Sequence, residues 1–231
     1  MIGLGPRLRA VAGLFVLAVL IASSARAESA VDVGGARALL ELPAAPKGSL
    51  ILVPGGDGVL DIKADGSFAK LAGNQLVRTR AAYARHGLAT LTVDRGVDLG
   101  AAIEHMRAIA SPVVVVATSR GSLRIPAALA KKPDGIVLTS AFLDAVSSKI
   151  GNSSRLPPTL VVHHRGDGCH HTPPAGVAPF KAWGGERVSV QWMEGGRDEG
   201  DPCQARGHHG FAGIDGDVVA KVSAFALALK R

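Results

Sequence analysis

The sequence contains the stretch Val113-Val114-Val115-Val116-Ala117-Thr118-Ser119-Arg120-Gly121-Ser122-Leu123, in which four valines lead into a short serine turn. Consecutive valines are typical of a strand that is buried on both faces of a parallel sheet. Ala117 two residues before Ser119, and Gly121 two residues after it, give a relaxed Gly-x-Ser-x-Gly pattern. This pattern holds a serine on a sharp turn between a strand and a helix. The stretch therefore predicts a buried strand, a strained turn at Ser119 and a helix over residues 122–131, which Pro126 must start or kink.

Strand and helix patterns alternate along the rest of the chain. Strands are predicted over residues 38–42, 49–53, 88–93, 135–139, 159–162 and 188–193, and helices over residues 74–85, 99–109, 174–183 and 217–230. Residues 38–42 are expected to form an edge strand. The alternation indicates an α/β fold with a mostly parallel central sheet and helices on both faces. In such sheets, functional groups gather beyond the carboxyl ends of the strands.

The first 27 residues have the pattern of a secretory signal peptide. Arg7 and Arg9 precede an uncharged apolar run over residues 10–22, and Ala25-Arg26-Ala27 is a small-x-small cleavage site. The apolar run is too short to predict a membrane span. We therefore expect one domain over residues 28–231 that is exported to the periplasm or secreted, with an uncleaved anchor as the alternative.

The charge balance argues against a nucleic-acid partner. The formal net charge is +7, and three arginines among the first 27 residues account for 3 of it, which leaves +4 for the exported chain. This positive charge is spread along the sequence, and no basic run is interleaved with aromatic residues. We expect no nucleic-acid binding and no membrane span after cleavage of the signal peptide.

Two later loops carry candidate partners for Ser119. Asp167 lies between two glycines in the loop after the strand predicted over residues 159–162, and His208 and His209 follow the last predicted strand. A histidine in this place can accept the serine proton while Asp167 holds its imidazole in the required tautomer. The order serine, acid, histidine is that of one of the known catalytic arrangements.

Three residues remain as alternatives at this stage. Ser122 is a second candidate nucleophile, although its place on the helix side of the turn favours a capping or packing role. Asp94 ends an earlier predicted strand and is a second candidate acid. Spacing alone leaves the choice between His208 and His209 open.

A glycine cluster follows the predicted strand over residues 49–53. In Pro54-Gly55-Gly56-Asp57-Gly58, the backbone N–H groups are free to point into a site, as an oxyanion hole requires. Gly56 and Asp57 are therefore candidate oxyanion donors. Arg120 is a further candidate, because its backbone N–H directly follows Ser119. An ordinary flexible turn is the alternative interpretation of this cluster.

These motifs together resemble those of the α/β-hydrolases, and more narrowly of small secreted hydrolase-fold proteins. The shared features are a Pro-Gly-Gly-x-Gly loop at residues 54–58, a Gly-Asn-x-Leu-Val-Arg segment at 73–78, a Thr-Ser-Arg-Gly-Ser elbow at 118–122 and a His-Gly-aromatic motif at 209–211. The resemblance implies a hydrolase with catalytic Ser119, Asp167 and His209, and it favours His209 over His208. Ala117 departs from the glycine that many such elbows have at this position.

The two cysteines of the chain, Cys169 and Cys203, lie close in sequence to Asp167 and His209 respectively. In an oxidising compartment, two cysteines in one domain are most simply a disulfide, with two free thiols as the alternative. Such a bridge would tie the loop of the acid to the loop of the histidine.

A metal site is the rival interpretation of the same region. Six of the eight histidines occur as adjacent pairs near the cysteines, namely His163, His164, His170, His171, His208 and His209. Their spacing matches no standard metal motif, and adjacent residues of an extended segment point to opposite faces. We therefore predict no metal and no cofactor.

The sequence thus predicts a serine hydrolase that cleaves a small to medium acyl ester or thioester, with an amide as the alternative substrate because the same three residues serve both reactions. No long insertion separates the late strands, so we expect no large lid. The alternative is a periplasmic protein of the same fold that binds a ligand or a metal without turnover.

Overall fold

Eight strands form one continuous sheet in the computed structural model, which describes residue 1 and residues 26–229. The strands are β1 (Arg26–Val33), β2 (Ala36–Leu42), β3 (Gly48–Val53), β4 (Leu88–Val93), β5 (Val113–Thr118), β6 (Gly135–Thr139), β7 (Thr159–His164) and β8 (Val188–Met193). Their order in the sheet is β1-β2-β4-β3-β5-β6-β7-β8. β1 and β2 run antiparallel to their neighbours, and the other strands are mutually parallel.

Helices cover both faces of the sheet. They are α1 (Gln75–Thr79), α2 (Leu99–Ile109), α3 (Ile125–Ala128), α4 (Leu143–Ile150), α5 (Val177–Gly184) and α6 (Asp215–Ala228). Apolar side chains of α2, α3, α4 and α5 pack into the core on one face, while those of α1 and α6 pack into the core on the other. Several short 3-10 helices, including Arg80–His86, Ser119–Arg124 and His208–Gly210, complete the connections.

The run of valines in β5 supplies both cores. Val113, Val115 and Ala117 pack on the face covered by α2 to α5, and Val114 and Val116 pack on the face covered by α1 and α6. All five side chains are fully buried, because β5 lies in the interior of the sheet between β3 and β6. The prediction of a strand covered on both faces is confirmed.

Two of the predicted elements need correction. Residues 38–42 belong to β2, which lies inside the sheet, and the strand at this edge of the sheet is β1. The exposed and half-buried residues of β1 provide only a weak hydrophobic pattern. The continuous helix predicted over residues 122–131 is wrong: α3 has four residues between two 3-10 turns, with Pro126 in its first turn. α4 was not predicted.

The apolar run of the predicted signal peptide, residues 10–22, lies outside the described residues. The last two residues of the predicted leader, Arg26 and Ala27, belong to β1. None of the helices within residues 26–229 combines the length and apolar character needed to cross a membrane.

Candidate active site

Ser119 lies in the turn directly after β5, and the backbone of this turn is strained. Its φ is 50°, in the left-handed region that residues with a side chain rarely adopt. A Cβ on Gly121 would lie 2.5 Å from the carbonyl oxygens of both Val53 and Pro54. A Cβ on Gly55 would lie 2.9 Å from the Cβ of Ser119. The turn is therefore pressed against the backbone that follows β3, which explains its small flanking residues.

The structure brings Ser119, His209 and Asp167 into one chain of hydrogen bonds. The Oγ of Ser119 lies 3.1 Å from Nε2 of His209, and Nδ1 of His209 lies 3.1 and 3.3 Å from the two carboxylate oxygens of Asp167. The Asp167 side chain is fully buried and that of His209 is 6% exposed. With the proton of a neutral His209 on Nδ1, the ring donates to Asp167 and accepts from the Ser119 hydroxyl.

Asp167 is held in its ionised form by its neighbours. Burial by itself would raise the pKa of Asp167. The hydrogen bond from His209 and that from the Cys169 amide, which donates to Oδ1 over 3.0 Å, outweigh burial. The pKa of Asp167 is therefore below its usual range, and its carboxylate is available to His209 at neutral pH.

Thr172 is a member of this cluster that sequence reasoning missed. Its hydroxyl donates to Oδ2 of Asp167 over 3.2 Å and lies 3.1 Å from Nδ1 of His209. Its carbonyl accepts from Nε2 of His163, over 3.0 Å. Thr172 therefore contacts Asp167, His209 and His163. Its position five residues after Asp167, in an irregular loop, was the only available signal in the sequence.

His163, in β7, lies beneath Asp167 in the interior of the protein. Its side chain is fully buried, and its Nε2 lies 3.5 Å from Oδ2 of Asp167. Burial lowers the pKa of His163 despite the nearby carboxylate of Asp167. The ring is therefore neutral, and its one proton lies on Nε2, which donates to the carbonyl of Thr172.

The two adjacent histidines of the last loop have different surroundings. His208 lies away from the serine, with its Nδ1 3.1 Å from the carbonyl oxygen of Gly166. Its ring stacks on that of His164 at a centroid distance of 4.0 Å. His209 is thus the histidine of this pair that the fold places against Ser119.

The alternative nucleophile and the alternative acid are engaged elsewhere. The hydroxyl of Ser122 donates to the Ser119 carbonyl over 2.6 Å and accepts from the Phe142 amide over 3.1 Å. The carboxylate of Asp94 accepts from three backbone amides, those of Leu60, Asp61 and Arg95. Ser122 therefore stabilises the serine turn, and Asp94 anchors a surface loop.

A cleft of ≈ 760 Å³ opens over Ser119. Gly56, Asp57 and Arg120, the candidate oxyanion donors, line it together with Ser119 and His209. Gly56 has a φ of 66°, which suits a glycine, and the Gly58 amide closes the loop by donating to the carbonyl of Gly55. The loop after β3 and the turn after β5 therefore meet at one side of the cleft.

The predicted disulfide between Cys169 and Cys203 is present. Both cysteines line the cleft, and Cys169 lies in the loop that carries Asp167. The bridge ties this loop to the segment that leads into His209.

The histidine pairs form no metal centre within residues 26–229. In this part of the chain, no three His, Cys, Asp or Glu side chains are arranged so that they could hold a metal ion. The rings of His170 and His171 lie 3.9 Å apart at a tilt of 45°, and His171 stacks on Phe142.

Solved structures similar to this chain share one fold. TT1662 from Thermus thermophilus is 16% identical at a TM-score of 0.61, covering 90% of this chain and 100% of its own. The esterase domain of a Rhodothermus marinus protein is 14% identical at a TM-score of 0.61, covering 87% and 98%. XC6422 from Xanthomonas campestris, an α/β serine hydrolase without a lid, is 15% identical at a TM-score of 0.55, covering 84% and 94%.

Identities this low establish a likeness of fold alone. The chain has the α/β-hydrolase fold, with a mostly parallel eight-stranded sheet and, within residues 26–229, no large lid. No protein-family model and no curated protein matches the sequence.

Proposed function

We propose that this protein is an exported serine hydrolase that cleaves small to medium acyl esters or thioesters through an acyl-enzyme. The observation that carries the proposal is the chain of hydrogen bonds from Ser119 through His209 to Asp167, at the floor of an open cleft. The strained φ of Ser119 supports it, because backbone strain of this kind clusters at functional sites.

In the first half of the reaction, the Oγ of Ser119 attacks the acyl carbonyl carbon while Nε2 of His209 takes the serine proton. The negative charge that develops on the carbonyl oxygen is stabilised by the backbone N–H groups of Arg120 and of Gly56 or Asp57. The tetrahedral intermediate then collapses. The bond to the leaving oxygen or sulfur breaks, and the proton held by His209 passes to that atom.

In the second half, a water molecule attacks the acyl carbon as His209 takes its proton. The bond to the Oγ of Ser119 breaks, the proton returns to Oγ, and the carboxylic acid leaves. Asp167 stays ionised throughout, so it holds the Nδ1 proton of His209 and stabilises the imidazolium that forms in each half.

The size of the substrate is inferred from the cleft and the fold. A volume of ≈ 760 Å³ lies within the range of small-molecule sites. No large lid covers the serine in the part of the chain that the structure describes, and the structures similar to it include an esterase domain and a serine hydrolase without a lid. We infer that the leaving group extends into solvent and that the acyl group occupies the cleft.

Export is inferred from the signal-peptide pattern over residues 1–27 and from the disulfide. Disulfides persist in the periplasm and outside the cell, whereas the cytoplasm keeps thiols reduced.

The proposal is tested by the rapid release of p-nitrophenol from short-chain p-nitrophenyl esters. We expect the oxidised protein to release a burst of about one equivalent per enzyme before the steady state, as acyl-enzymes do. Ser119→Ala abolishes the burst, and Ser122→Ala, which removes the alternative nucleophile together with one contact of the serine turn, retains the burst at a lower rate. A burst of equal size in Ser119→Ala would show that another residue is the nucleophile.

A further inference from the structure

The side chain of Arg78, on α1, joins three separate parts of the chain. Its Nε and Nη2 donate to the carboxylate of Asp215, at the start of α6, over 3.1 and 2.7 Å. Its Nη2 also donates to the carbonyl of Gly210 over 2.6 Å. Its Nη1 donates to the carbonyls of Gly73 and Ala205, over 2.6 and 3.4 Å. All of the guanidinium nitrogens of Arg78 are therefore engaged.

Two of these carbonyls flank His209. Gly210 follows His209 directly, and Ala205 precedes it by four residues. The loop is closed tightly on itself, because a Cβ on Gly210 would lie only 2.3 Å from the carbonyl oxygen of Ala205. One guanidinium thus fixes both sides of the turn that presents the imidazole.

The segment that carries Arg78 is itself firmly placed. The side chain of Asn74 caps α1 by accepting from the Leu76 amide, and Leu76 is fully buried in the core against α6. At the other end of the segment, the side chain of Leu71 lies 3.3 Å from the position that a Cβ on Gly56 would occupy. Residues 71–78 therefore contact the loop of the candidate oxyanion donors at one end and the histidine loop at the other.

We propose that Arg78 is the positioning residue of this site, and that its guanidinium sets the distance between His209 and Ser119. The inference rests on the proposed function, since it assigns Arg78 a part in the same reaction. The planar guanidinium can hold a carboxylate and several carbonyls at fixed angles, which neither a lysine nor a glutamine can do. A displacement of His209 by about 1 Å would lengthen the distance from its Nε2 to the Oγ of Ser119. Shifts of this size lower reaction rates by about a hundredfold.

The chain offers a matched control two residues away. Arg80 also pairs with a carboxylate, that of Glu28, and donates to the carbonyl of Val77. Its side chain is 21% exposed, against 23% for Arg78. Arg80 therefore has a similar ion pair and similar burial, but none of its hydrogen bonds within residues 26–229 reaches the histidine loop.

The first measurement is the rate constant for modification of Ser119 by a fluorophosphonate in Arg78→Gln and Arg80→Gln, both checked for folding by circular dichroism. We expect the rate constant to fall by about ten- to a hundredfold in Arg78→Gln and to change by less than about threefold in Arg80→Gln. Recovery of the rate in Arg78→Ala on addition of millimolar guanidinium would support the positioning role. Equal rate constants in wild type and Arg78→Gln would overturn it.

The second measurement reads the position of His209 without any reagent for the serine. We expect the imidazole nitrogen and Nδ1–H signals of His209 in nuclear magnetic resonance spectra to shift in Arg78→Gln and to stay in place in Arg80→Gln. If Arg78→Gln does not fold, Asp215→Asn loosens one contact of the guanidinium and should move the same signals less. Unchanged His209 signals in the variants of Arg78 and Asp215 overturn the inference. A wild-type protein that the fluorophosphonate does not modify contradicts the proposed function instead.

Discussion

At Ser119, the backbone is held in a conformation that costs a residue with a side chain about 1–3 kcal/mol. Two contacts keep it there. The hydroxyl of Ser122 donates to the Ser119 carbonyl, and Gly121 lets the turn lie directly on the backbone of Pro54. The strain is therefore sustained by the packing of β5 against the loop after β3, and it aims the Oγ of Ser119 at His209.

Thr172 gives a prediction at the same scale. Its hydroxyl contacts both Asp167 and His209, so Thr172→Val removes a hydrogen bond to an ionised carboxylate while keeping the shape of the side chain. A hydrogen bond of this kind is worth about 1.5–3 kcal/mol. Because the Cys169 amide still holds Asp167, we expect the rate of Ser119 modification by a fluorophosphonate to fall by about tenfold.

Thr92→Val is the matched control for this variant. Thr92 is fully buried in β4, and its hydroxyl has no hydrogen-bond partner among the described residues. We expect this variant to react at the wild-type rate. If Thr172→Val also reacted at that rate, Thr172 would be a packing residue only.

The residues of the site differ in how far the sequence reveals them. Ser119, Asp167 and His209 could be proposed because each follows a strand or precedes the last helix, where an α/β sheet gathers its functional groups. Thr172 and Arg78 could not, since their partners lie far along the chain. Thr172 is 37 residues from His209, and Arg78 is 137 residues from Asp215. Such contacts depend on how the loops pack, which no local pattern encodes.

Among the elements, those with a strong hydrophobic pattern were predicted with their observed bounds. β4, β6, β8 and α2 are examples, because burial or a regular apolar stripe leaves little choice of register. α4 was missed although Leu143, Val146 and Ile150 have helical spacing. It is only eight residues long, and Phe142 at its N-cap makes no side-chain capping hydrogen bond, so the usual start signal is absent.

The strand β2 contains a glutamate that is poorly accommodated when ionised. One carboxylate oxygen of Glu41 is buried and has no hydrogen-bond partner among the described residues. Burial and the neighbouring charge of Glu28 raise the pKa of Glu41, although Arg80 and Arg85 oppose this. The folded protein therefore binds the proton of Glu41 more tightly than the unfolded chain does.

The consequence is a pH-dependent penalty on stability. Protonated Glu41 contributes to the free energy of unfolding, and this contribution is fully present below the pKa that Glu41 has in the unfolded chain. It is lost as the pH rises through the higher pKa that Glu41 has in the folded protein. We expect Glu41→Gln to unfold at a higher temperature than wild type at neutral pH, with a difference that narrows as the pH falls below the usual range of a glutamate. Thermal unfolding followed by circular dichroism across this range measures it.

Glu186→Gln, at an exposed position in the turn before β8, is the control for this series. Its unfolding temperature should differ from that of wild type by the same small amount at every pH. A Glu41→Gln protein that followed the same flat course would show that the Glu41 carboxylate is adequately solvated in the folded state.

Over the whole molecule, the candidate site is assembled from loops that follow the carboxyl ends of the parallel strands. The loop of Gly56 follows β3, Ser119 follows β5, Asp167 follows β7, and His209 follows β8. The disulfide joins two of these connections across 34 residues and would contribute about 3–4 kcal/mol by the chain-entropy model. The parallel sheet thus brings together residues that lie far apart along the chain, as in the contact of Ser119 with His209, which are 90 positions apart.

The central claim is that this assembly makes Ser119 a nucleophile. The most direct measurement is the intact mass of the oxidised protein after treatment with a fluorophosphonate, followed by peptide mapping of the modified residue. We predict one adduct per chain on Ser119, no adduct in Ser119→Ala or after unfolding, and an adduct retained in Ser122→Ala. A folded, disulfide-bonded wild-type protein that gains no mass, or that is modified equally in Ser119→Ala, would contradict the account.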